Sequence, residues 1–264
     1  MRAGALFDVR GRVTLVTGAA SGLGLAMAEV MAENGAVVAM LDIDRSALDT
    51  AVTRLAQAGH AVEAIALDVG ETASLRAAIQ ATAEKHGRLD VVFANAGISA
   101  GPGFGRPEGE ISAVDMGRWQ QVLQVNLTSV FVTLQAAAER MKAQRSGRII
   151  VTSSIGGIRA ERMVGYAYAA TKAAVNNLVR QAALELAPYN VLINAIAPGP
   201  FWTNIGGGRL HREPETVQEF AEMVPLGRLA RPDELKGLAL LLASPASSFI
   251  TGAVIPIDGG VTAG

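Results

Sequence analysis

Short apolar runs alternate along the chain with longer segments in which apolar residues recur at helical spacing. The apolar runs are rich in residues that favour β-structure and predict seven strands. These strands lie at residues 13–17, 36–41, 61–67, 89–94, 148–152, 191–197 and 254–258. The segments between them predict helices at residues 22–34, 46–58, 72–86, 116–145, 166–188 and 232–243.

Strands that are apolar throughout, with helices between them, indicate a parallel sheet that is covered on both faces. We therefore predict a doubly wound α/β fold with right-handed crossovers, in which ligands bind at the carboxyl ends of the strands. No linker rich in proline, serine or charge divides the chain, so residues 1–264 are predicted to form a single domain.

Two segments do not have the pattern of a strand or a long helix. Residues 101–109 form a loop rich in glycine and proline, and residues 203–225 are polar and contain three consecutive glycines, Gly206, Gly207 and Gly208. A short helical pattern lies near residues 214–223. Because both segments follow strand ends and glycines can act as hinges, we predict that residues 203–225 form a substrate lid, with an ordinary surface loop as the alternative.

Composition argues against several classes of function. The net charge of −1 gives no reason to expect attraction to nucleic acid or to an anionic membrane. The chain has no cysteine, which excludes disulfides, thiolate zinc sites and cysteine nucleophiles, and its three histidines are too scattered to predict a metal site. No signal peptide and no apolar run of about 18 residues is found, so we expect a soluble, cytoplasmic protein without a membrane partner.

Three glycines, Gly18, Gly22 and Gly24, lie between the first predicted strand and the first predicted helix. Glycines allow a tight turn and a close approach of the backbone to a pyrophosphate, and the helix N-terminus supplies free N–H groups and the positive end of its dipole. Their spacing differs from the G-x-G-x-x-G fingerprint. Their position between strand and helix nevertheless indicates a dinucleotide site.

Asp42 ends the second predicted strand, where an acidic residue accepts hydrogen bonds from the ribose hydroxyls of adenosine. Ser21 lies in the glycine turn and Ile43 follows Asp42, so neither position offers a cation to a 2′-phosphate. We therefore predict NAD rather than NADP, and Arg45 is the main argument against this choice. The alternative role for Asp42 is to cap the next helix.

Tyr168 and Lys172 are four residues apart in a predicted helix and therefore lie on the same face. A neighbouring cation favours the phenolate, so Lys172 is expected to lower the pKa of Tyr168 from its reference of about 10. Taken alone, such a pair is more often an ordinary tyrosine beside a solvated lysine.

The order of these motifs resembles that of the short-chain dehydrogenase/reductase family, a large group of single-domain nicotinamide enzymes. The resemblance covers residues 11–260. It includes residues 17–24, Asp68-Val69, Asn95-Ala96-Gly97, Asn126, Ser154, Tyr168-x-x-x-Lys172, Pro198-Gly199 and Asp258-Gly259-Gly260. It implies a Rossmann-like, seven-stranded parallel sheet in the order 3-2-1-4-5-6-7.

The resemblance also implies roles for individual residues. The implied cofactor-binding residues are Gly18, Ser21, Gly22, Leu23, Gly24, Asp42, Asp68, Val69, Asn95, Ala96, Gly97, Tyr168, Lys172, Pro198, Gly199 and Thr203. The implied catalytic residues are Asn126, Ser154, Tyr168 and Lys172. In this family the tyrosine is the general acid or base, the serine polarises the reacting oxygen, and the asparagine holds a water that links the lysine to solvent.

The interval between Ser154 and Tyr168 is one residue longer than the common family spacing. We interpret this as a longer loop across residues 159–165 at the substrate pocket. The candidate pocket walls are Ser99, Ala100, Phe104, Arg159, Glu161, Met163, Tyr166, Phe201, Trp202 and His211. They permit a sugar or polyol, a hydroxy acid, a small aromatic alcohol or a steroid-like ketone. An arginine here would suit a carboxylate, although a solvated arginine is the favoured interpretation.

We favour an NAD-dependent oxidoreductase that transfers a hydride between a secondary alcohol, or its ketone, and the cofactor. The alternatives are an NADPH-dependent 3-oxoacyl thioester ketoreductase, which calls for more cations near the adenosine than Arg45, and a non-catalytic NAD-binding regulatory protein, which calls for a broken Ser/Tyr/Lys set. The resemblance suggests a homodimer or homotetramer formed through apolar helical segments at residues 127–141 and 169–186. The last strand and the helix before it are a candidate second interface.

Overall fold

The computed structural model describes residues 2–205, 208 and 212–264. Within them, seven parallel strands form one sheet in the order β3-β2-β1-β4-β5-β6-β7. The strands are β1 Val13–Thr17, β2 Val37–Asp42, β3 Val62–Ala66, β4 Val91–Ala94, β5 Gly147–Thr152, β6 Val191–Pro198 and β7 Val254–Ile257. The predicted doubly wound sheet and its strand order are confirmed.

The described helices are α1 Ala3–Leu6, α2 Gly22–Glu33, α3 Arg45–Gln57, α4 Thr72–Lys85, α5 Met116–Leu123, α6 Ser129–Gln144, α7 Tyr166–Leu186, α8 Pro214–Met223 and α9 Lys236–Ala243. Six of them cover the two faces of the sheet. One core cluster joins the sheet to α4, α6 and α7, and the other joins it to α2, α3 and α9. Successive strand residues alternate between the clusters, as Leu15 and Val16 do, because side chains of a strand point to opposite faces.

The helix predicted at residues 116–145 is interrupted. A π-helical turn, Gln124–Thr128, separates α5 from α6 and contains the fully buried Asn126. The side chain of Asn126 accepts a hydrogen bond from the backbone N–H of Ile98 and donates one to the carbonyl oxygen of Ile98, both at 2.8 Å. The wide turn therefore places the asparagine against the loop that follows β4, as π-turns often do at functional sites.

Two other predicted helices differ at one end. The helix predicted at residues 166–188 leaves α-geometry after Leu186 and ends in the 3₁₀ turn Ala187–Tyr189, where Pro188 has no N–H to donate. The helix predicted at residues 232–243 begins as the 3₁₀ turn Pro232–Leu235 before α9. In the described part of the chain, none of the helices has both the length and the apolar character needed to cross a membrane.

The segment predicted as a lid contains α8 at the expected place. Gly206, Gly207 and His211, which the sequence also singled out, lie outside the described residues. The loop at residues 101–109 ends in the 3₁₀ turn Pro107–Gly109. Both segments lie in sequence after strands, β6 and β4 respectively, whose carboxyl ends meet at the same edge of the sheet.

Candidate functional site

A cavity of about 570 Å³ opens at the carboxyl ends of the strands. Most of the residues implied by the family resemblance line it. They are Gly18, Ser21, Gly22, Leu23, Gly24, Asp42, Asp68, Val69, Asn95, Ala96, Gly97, Ser154, Tyr168, Lys172, Pro198, Gly199 and Thr203. Asn126 lies behind this lining and is completely buried. The structure thus brings together residues that lie far apart in the sequence.

The glycine turn between β1 and α2 depends on glycine at each of its three positions. Gly18 and Gly22 have φ values of +68° and +54°, which disfavour residues with a side chain. A Cβ on Gly24 would lie 1.9 Å from the carbonyl oxygen of Gly18. Ser21 precedes α2 without a side-chain cap within the described residues, so the first N–H groups of α2 remain available to a phosphate at the cavity.

The carboxylate of Asp42 is fixed beside this turn. One of its oxygens accepts a hydrogen bond from the N–H of Ala20 at 2.9 Å, and the other accepts from the N–H of Asp44 at 3.0 Å. The alternative that Asp42 caps the next helix is wrong, because Asp44 is the N-cap of α3 and accepts from the N–H of Ala47 at 3.0 Å. Asp42 instead faces the cavity.

The residues around Asp42 bear on the choice between cofactors. Ile43 lines the cavity and is 69% exposed. Arg45 forms an ion pair with Asp49, one turn further along α3, with 3.6 Å between Nε and Oδ2. Arg45 is not one of the described residues that line the cavity. Its position therefore weakens the argument that Arg45 binds the 2′-phosphate of NADP.

Asn95 ties the ends of three neighbouring strands together. Its Nδ2 donates to the carbonyl oxygen of Thr17 at 3.0 Å, and the Thr17 hydroxyl accepts from the backbone N–H groups of Asn95 and Ala96. The hydroxyl of Thr152 donates to Asn95 Oδ1 at 2.9 Å. The sequence did not single out Thr152. Its place at the carboxyl end of β5, next to β4, is the signal that could have done so.

Tyr168 and Lys172 lie on one face of α7, as their spacing predicts. The Lys172 ammonium is 5.4 Å from the centre of the Tyr168 ring and donates to the carbonyl oxygen of Thr152 at 2.7 Å. Ser154 follows β5 and is 8% exposed, and its Oγ accepts from the N–H of Gly156 at 3.1 Å. The three side chains therefore meet at one point of the cavity.

The electrostatics of this cluster differ from the prediction. Burial raises the pKa of Tyr168 above its ordinary value of 10, and a hydrogen bond with Ser154 lowers it only in part. Burial also lowers the pKa of Lys172 to about 8. The pKa of Tyr168 is therefore raised and not lowered as the sequence predicted, because desolvation of the phenolate is the largest contribution. Tyr168 is thus protonated at neutral pH unless a further positive charge adjoins it.

Asn126 and Lys172 flank the backbone of Gly97. A Cβ on Gly97 would lie 3.3 Å from Asn126 Oδ1 and 3.8 Å from Lys172 Nζ. Since both ends of the Asn126 amide bond the backbone of Ile98, the asparagine fixes the loop that passes the lysine.

A second polar pair, which the sequence did not identify, joins the loop after β5 to α7. The hydroxyl of Ser153 donates to Asn176 Oδ1 at 2.5 Å, and Asn176 Nδ2 donates to the carbonyl oxygen of Gly157 at 2.9 Å. A Cβ on Gly157 would lie 2.5 Å from the carbonyl carbon of Lys172. The pair therefore holds the serine loop against the helix of the catalytic candidates. The spacing of four between Lys172 and Asn176 is the one available signal.

On the substrate side, fewer of the residues predicted from the sequence line the cavity. Of the candidate wall residues, Ser99, Glu161, Met163 and Phe201 line it. Five other candidates are described by the structure but do not line the cavity: Ala100, Phe104, Arg159, Tyr166 and Trp202. His211 lies outside the described residues. Further walls come from the predicted lid. They are Asn204, Ile205, Thr216, Phe220 and Met223. Over the same described ranges, no group of His, Cys, Asp or Glu is arranged to hold a metal ion.

Comparison with known proteins identifies the family. A family profile described as "Enoyl-(Acyl carrier protein) reductase" matches residues 18–262. The chain belongs to the short-chain dehydrogenase/reductase family, as its motifs predicted.

Three relatives illustrate the range of this similarity. The chain is 39% identical over 257 residues to cis-4-hydroxycyclohexanecarboxylate dehydrogenase of Sinomonas cyclohexanicum, covering 96% of this chain and 97% of the relative. It is 37% identical over 270 residues to cyclohexanol dehydrogenase of a Rhodococcus species, covering 96% and 97%. A crystal structure of a 3-oxoacyl (acyl-carrier-protein) reductase from Agrobacterium tumefaciens C58, with NADP bound, has a TM-score of 0.89 and 35% identity, covering 98% and 97%.

The predicted class of activity is confirmed. The chain is an oxidoreductase of the group that acts on CH–OH donors or the corresponding ketones with a nicotinamide dinucleotide, NAD(P).

Proposed function

We propose that the protein is an NAD-dependent dehydrogenase of a secondary alcohol, which also reduces the corresponding ketone. The observation that carries this proposal is the shared cavity. Ser154, Tyr168 and Lys172 line the same space as the glycine turn and Asp42. Because this set is intact, we do not favour a non-catalytic regulatory protein.

The preference for NAD rests on the adenosine end of the cavity. Asp42 is held there by two backbone N–H groups, so its carboxylate is well placed to accept hydrogen bonds from ribose hydroxyls and to repel a 2′-phosphate. The one nearby arginine, Arg45, pairs with Asp49. An NADPH-dependent thioester ketoreductase, the activity type of the Agrobacterium relative, calls for a cation where this protein has Ile43.

The residues of the cavity suit the remaining parts of the dinucleotide. The N–H groups of the glycine turn and of the first turn of α2 would hold the pyrophosphate. Asp68 and Val69 would contact the adenine. Residues along the rest of the cavity would hold the nicotinamide end, and they are Asn95, Ala96, Gly97, Tyr168, Lys172, Pro198, Gly199 and Thr203.

NAD⁺, when bound, supplies the acceptor for the hydride from the carbinol carbon. In alcohol oxidation Tyr168, as phenolate, removes the hydroxyl proton, and in ketone reduction its phenol returns a proton to the oxygen. The Ser154 hydroxyl donates a hydrogen bond to the reacting oxygen. Its Oγ already accepts from the N–H of Gly156, which fixes the serine beside Tyr168.

Lys172 and Asn126 support proton transfer by Tyr168 without contacting the reacting oxygen. Lys172 is held by the carbonyl oxygen of Thr152, and its positive charge favours the phenolate, although burial opposes it. The positive charge of a bound NAD⁺ would add to this effect and favour the base form of Tyr168 in oxidation. Asn126, fixed on Ile98 beside Lys172, supports a water-linked path for the proton to solvent.

The larger organisation completes the proposal. One continuous sheet supports a single catalytic domain in which residues 203–225 act as a lid, since Phe220 and Met223 of α8 line the cavity. A homodimer or homotetramer is supported by large apolar side chains exposed on α6 and α7, Phe131 at 50% and Leu184 at 76%. A cytoplasmic location stays a prediction from the sequence.

Parallel fluorescence titrations with NADH and NADPH test the cofactor, and a screen of alcohols, sugars, polyols and hydroxy acids for NADH formation tests the reaction. We expect NADH to bind about tenfold or more tightly than NADPH, because of like-charge repulsion at Asp42. Asp42→Ser should narrow this gap, while Asp233→Ser, a change at an exposed carboxylate outside the described lining, should not. Tighter binding of NADPH by the wild type would contradict the proposal.

A further inference from the structure

Glu161 is a buried carboxylate on the substrate side of the cavity. It lies in the loop at residues 159–165, and its side chain is 4% exposed. It also lines the cavity. Acidic side chains are seldom buried to this extent unless their charge is paired, so the partners of Glu161 decide what it does.

The neighbouring Arg159 pairs with Glu161 only in part. Its Nε lies 2.8 Å from Glu161 Oε1, but within the described residues this oxygen has no hydrogen bond, since the N–H is not aligned with it. The Nη1 of Arg159 donates instead to the backbone oxygens of Val261 at 2.6 Å and Gly264 at 2.9 Å. The charge of Glu161 is therefore balanced by Arg159 at Oε1, which is enclosed by protein. The oxygen left for a ligand in the cavity is Oε2, which has no hydrogen bond to a described residue.

The apolar walls on this side are Ile155, Met163, Val164, Ile205, Phe220 and Met223. Neutral polar walls are Ser99, Asn204 and Thr216. Among the described lining residues, the one cation is Lys172, which belongs to the catalytic cluster. Between these uncharged walls a carboxylate oxygen without a hydrogen bond favours a ligand that brings a donor, and it disfavours a ligand that brings a second negative charge.

We propose that Glu161 accepts a hydrogen bond from a second hydroxyl group of the substrate. The substrate is then a neutral alcohol with a further hydroxyl, a diol or polyol, rather than a hydroxy acid. This inference rests on the proposed dehydrogenase function and specifies its substrate class. Arg159 then does not bind a substrate carboxylate, because it forms an ion pair with Glu161 and donates hydrogen bonds to the backbone oxygens of Val261 and Gly264.

The test compares kcat/KM for cyclohexanol, the cyclohexane-1,2-, 1,3- and 1,4-diols, and 4-hydroxycyclohexanecarboxylate. The variants are Glu161→Leu, Glu161→Gln and, as a control, Glu84→Gln at an exposed carboxylate of α4. The wild type should oxidise its best diol about tenfold or more faster than cyclohexanol, and Glu161→Leu should remove about tenfold to a hundredfold of that preference. Glu161→Gln should raise kcat/KM for the carboxylate substrate about tenfold, and Glu84→Gln should change neither ratio.

A purely structural ion pair would give a different result. Glu161→Leu would then lower the unfolding temperature but leave the ratio of diol to cyclohexanol unchanged, and this outcome overturns the inference. NADH titration and thermal unfolding show whether each variant is folded. If Glu161→Leu does not fold, the Glu161→Gln arm decides, and an unchanged rate with the carboxylate substrate refutes the assignment. A wild type that oxidises no secondary alcohol contradicts the proposed function itself, which is a separate result.

Discussion

The cofactor side and the substrate side of the cavity are held in place by different means. On the cofactor side, side chains at strand ends bond to neighbouring backbone, as Asn95 does to Thr17 and Asp42 does to Ala20. On the substrate side, the walls come from the loop after β5 and from the predicted lid, which the register of the sheet does not fix. The comparison indicates that the strand ends define the reaction and the loops select the molecule.

Tyr168 lies where the two sides meet, and replacing it should have the largest effect. Tyr168→Phe removes the group that exchanges the proton with the reacting oxygen. We expect kcat to fall about a thousandfold, while NADH affinity changes little. Stopped assays at high enzyme concentration measure the residual rate.

The matched control is Tyr166→Phe, two residues earlier on α7. Tyr166 is 36% exposed and, within the described residues, does not line the cavity. This variant should keep wild-type turnover. Equal turnover by Tyr168→Phe and Tyr166→Phe would show that Tyr168 is not the general acid or base.

Gly24→Ala is expected to disrupt the cofactor side alone. The new Cβ would lie 1.9 Å from the Gly18 carbonyl oxygen and 2.5 Å from Asn95 Nδ2, so the turn has to move. We expect unfolding free energy to fall by about 1–3 kcal/mol and NADH binding to weaken strongly. Chemical denaturation and fluorescence titration measure the two effects.

Gly237→Ala provides the control for this change. Gly237 is an exposed glycine in α9, and a Cβ there would meet nothing within 4 Å. Alanine should stabilise the helix by about 0.5–1 kcal/mol. If Gly24→Ala bound NADH as the wild type does, the glycine turn would not be the pyrophosphate site.

The pH dependence of the two reaction directions should show a smaller effect. Because burial raises the pKa of Tyr168, its base form is gained as pH rises. The kcat/KM for alcohol oxidation should therefore increase by up to about tenfold per pH unit, while ketone reduction, which uses the phenol, should not increase. The rise should flatten above a pH of about 8, where Lys172 loses its charge. Initial rates at constant ionic strength test this, and oxidation that slows with rising pH would contradict it.

The sequence predicted those features that local chemistry determines. Gly18, Gly22 and Gly24 have backbone conformations or close contacts that disfavour a Cβ, and Asp42 is the last residue of β2. The apolar runs sufficed for the sheet, because each strand is buried by helices on one or both faces. Those predictions required no knowledge of how loops pack.

Other features depend on tertiary packing and could not be predicted. The spacing of apolar residues could not predict the π-helical turn that contains Asn126, because the apolar residues before and after it recur at ordinary α-helical spacing. The raised pKa of Tyr168 follows from burial, and the bond between Ser153 and Asn176 depends on how the loop after β5 meets α7. For the same reason Phe104, an attractive pocket residue in the sequence, is 45% exposed.

The most direct test of hydride transfer between a secondary alcohol and NAD uses a deuterated substrate. The alcohol that gives the fastest NADH formation in the screen is labelled at its carbinol carbon and incubated with the protein and NAD⁺. Mass spectrometry of the recovered cofactor should show one deuterium in NADH and slower formation than with the unlabelled alcohol. NADH without deuterium, or transfer to NADP⁺ in preference to NAD⁺, would contradict the proposed function.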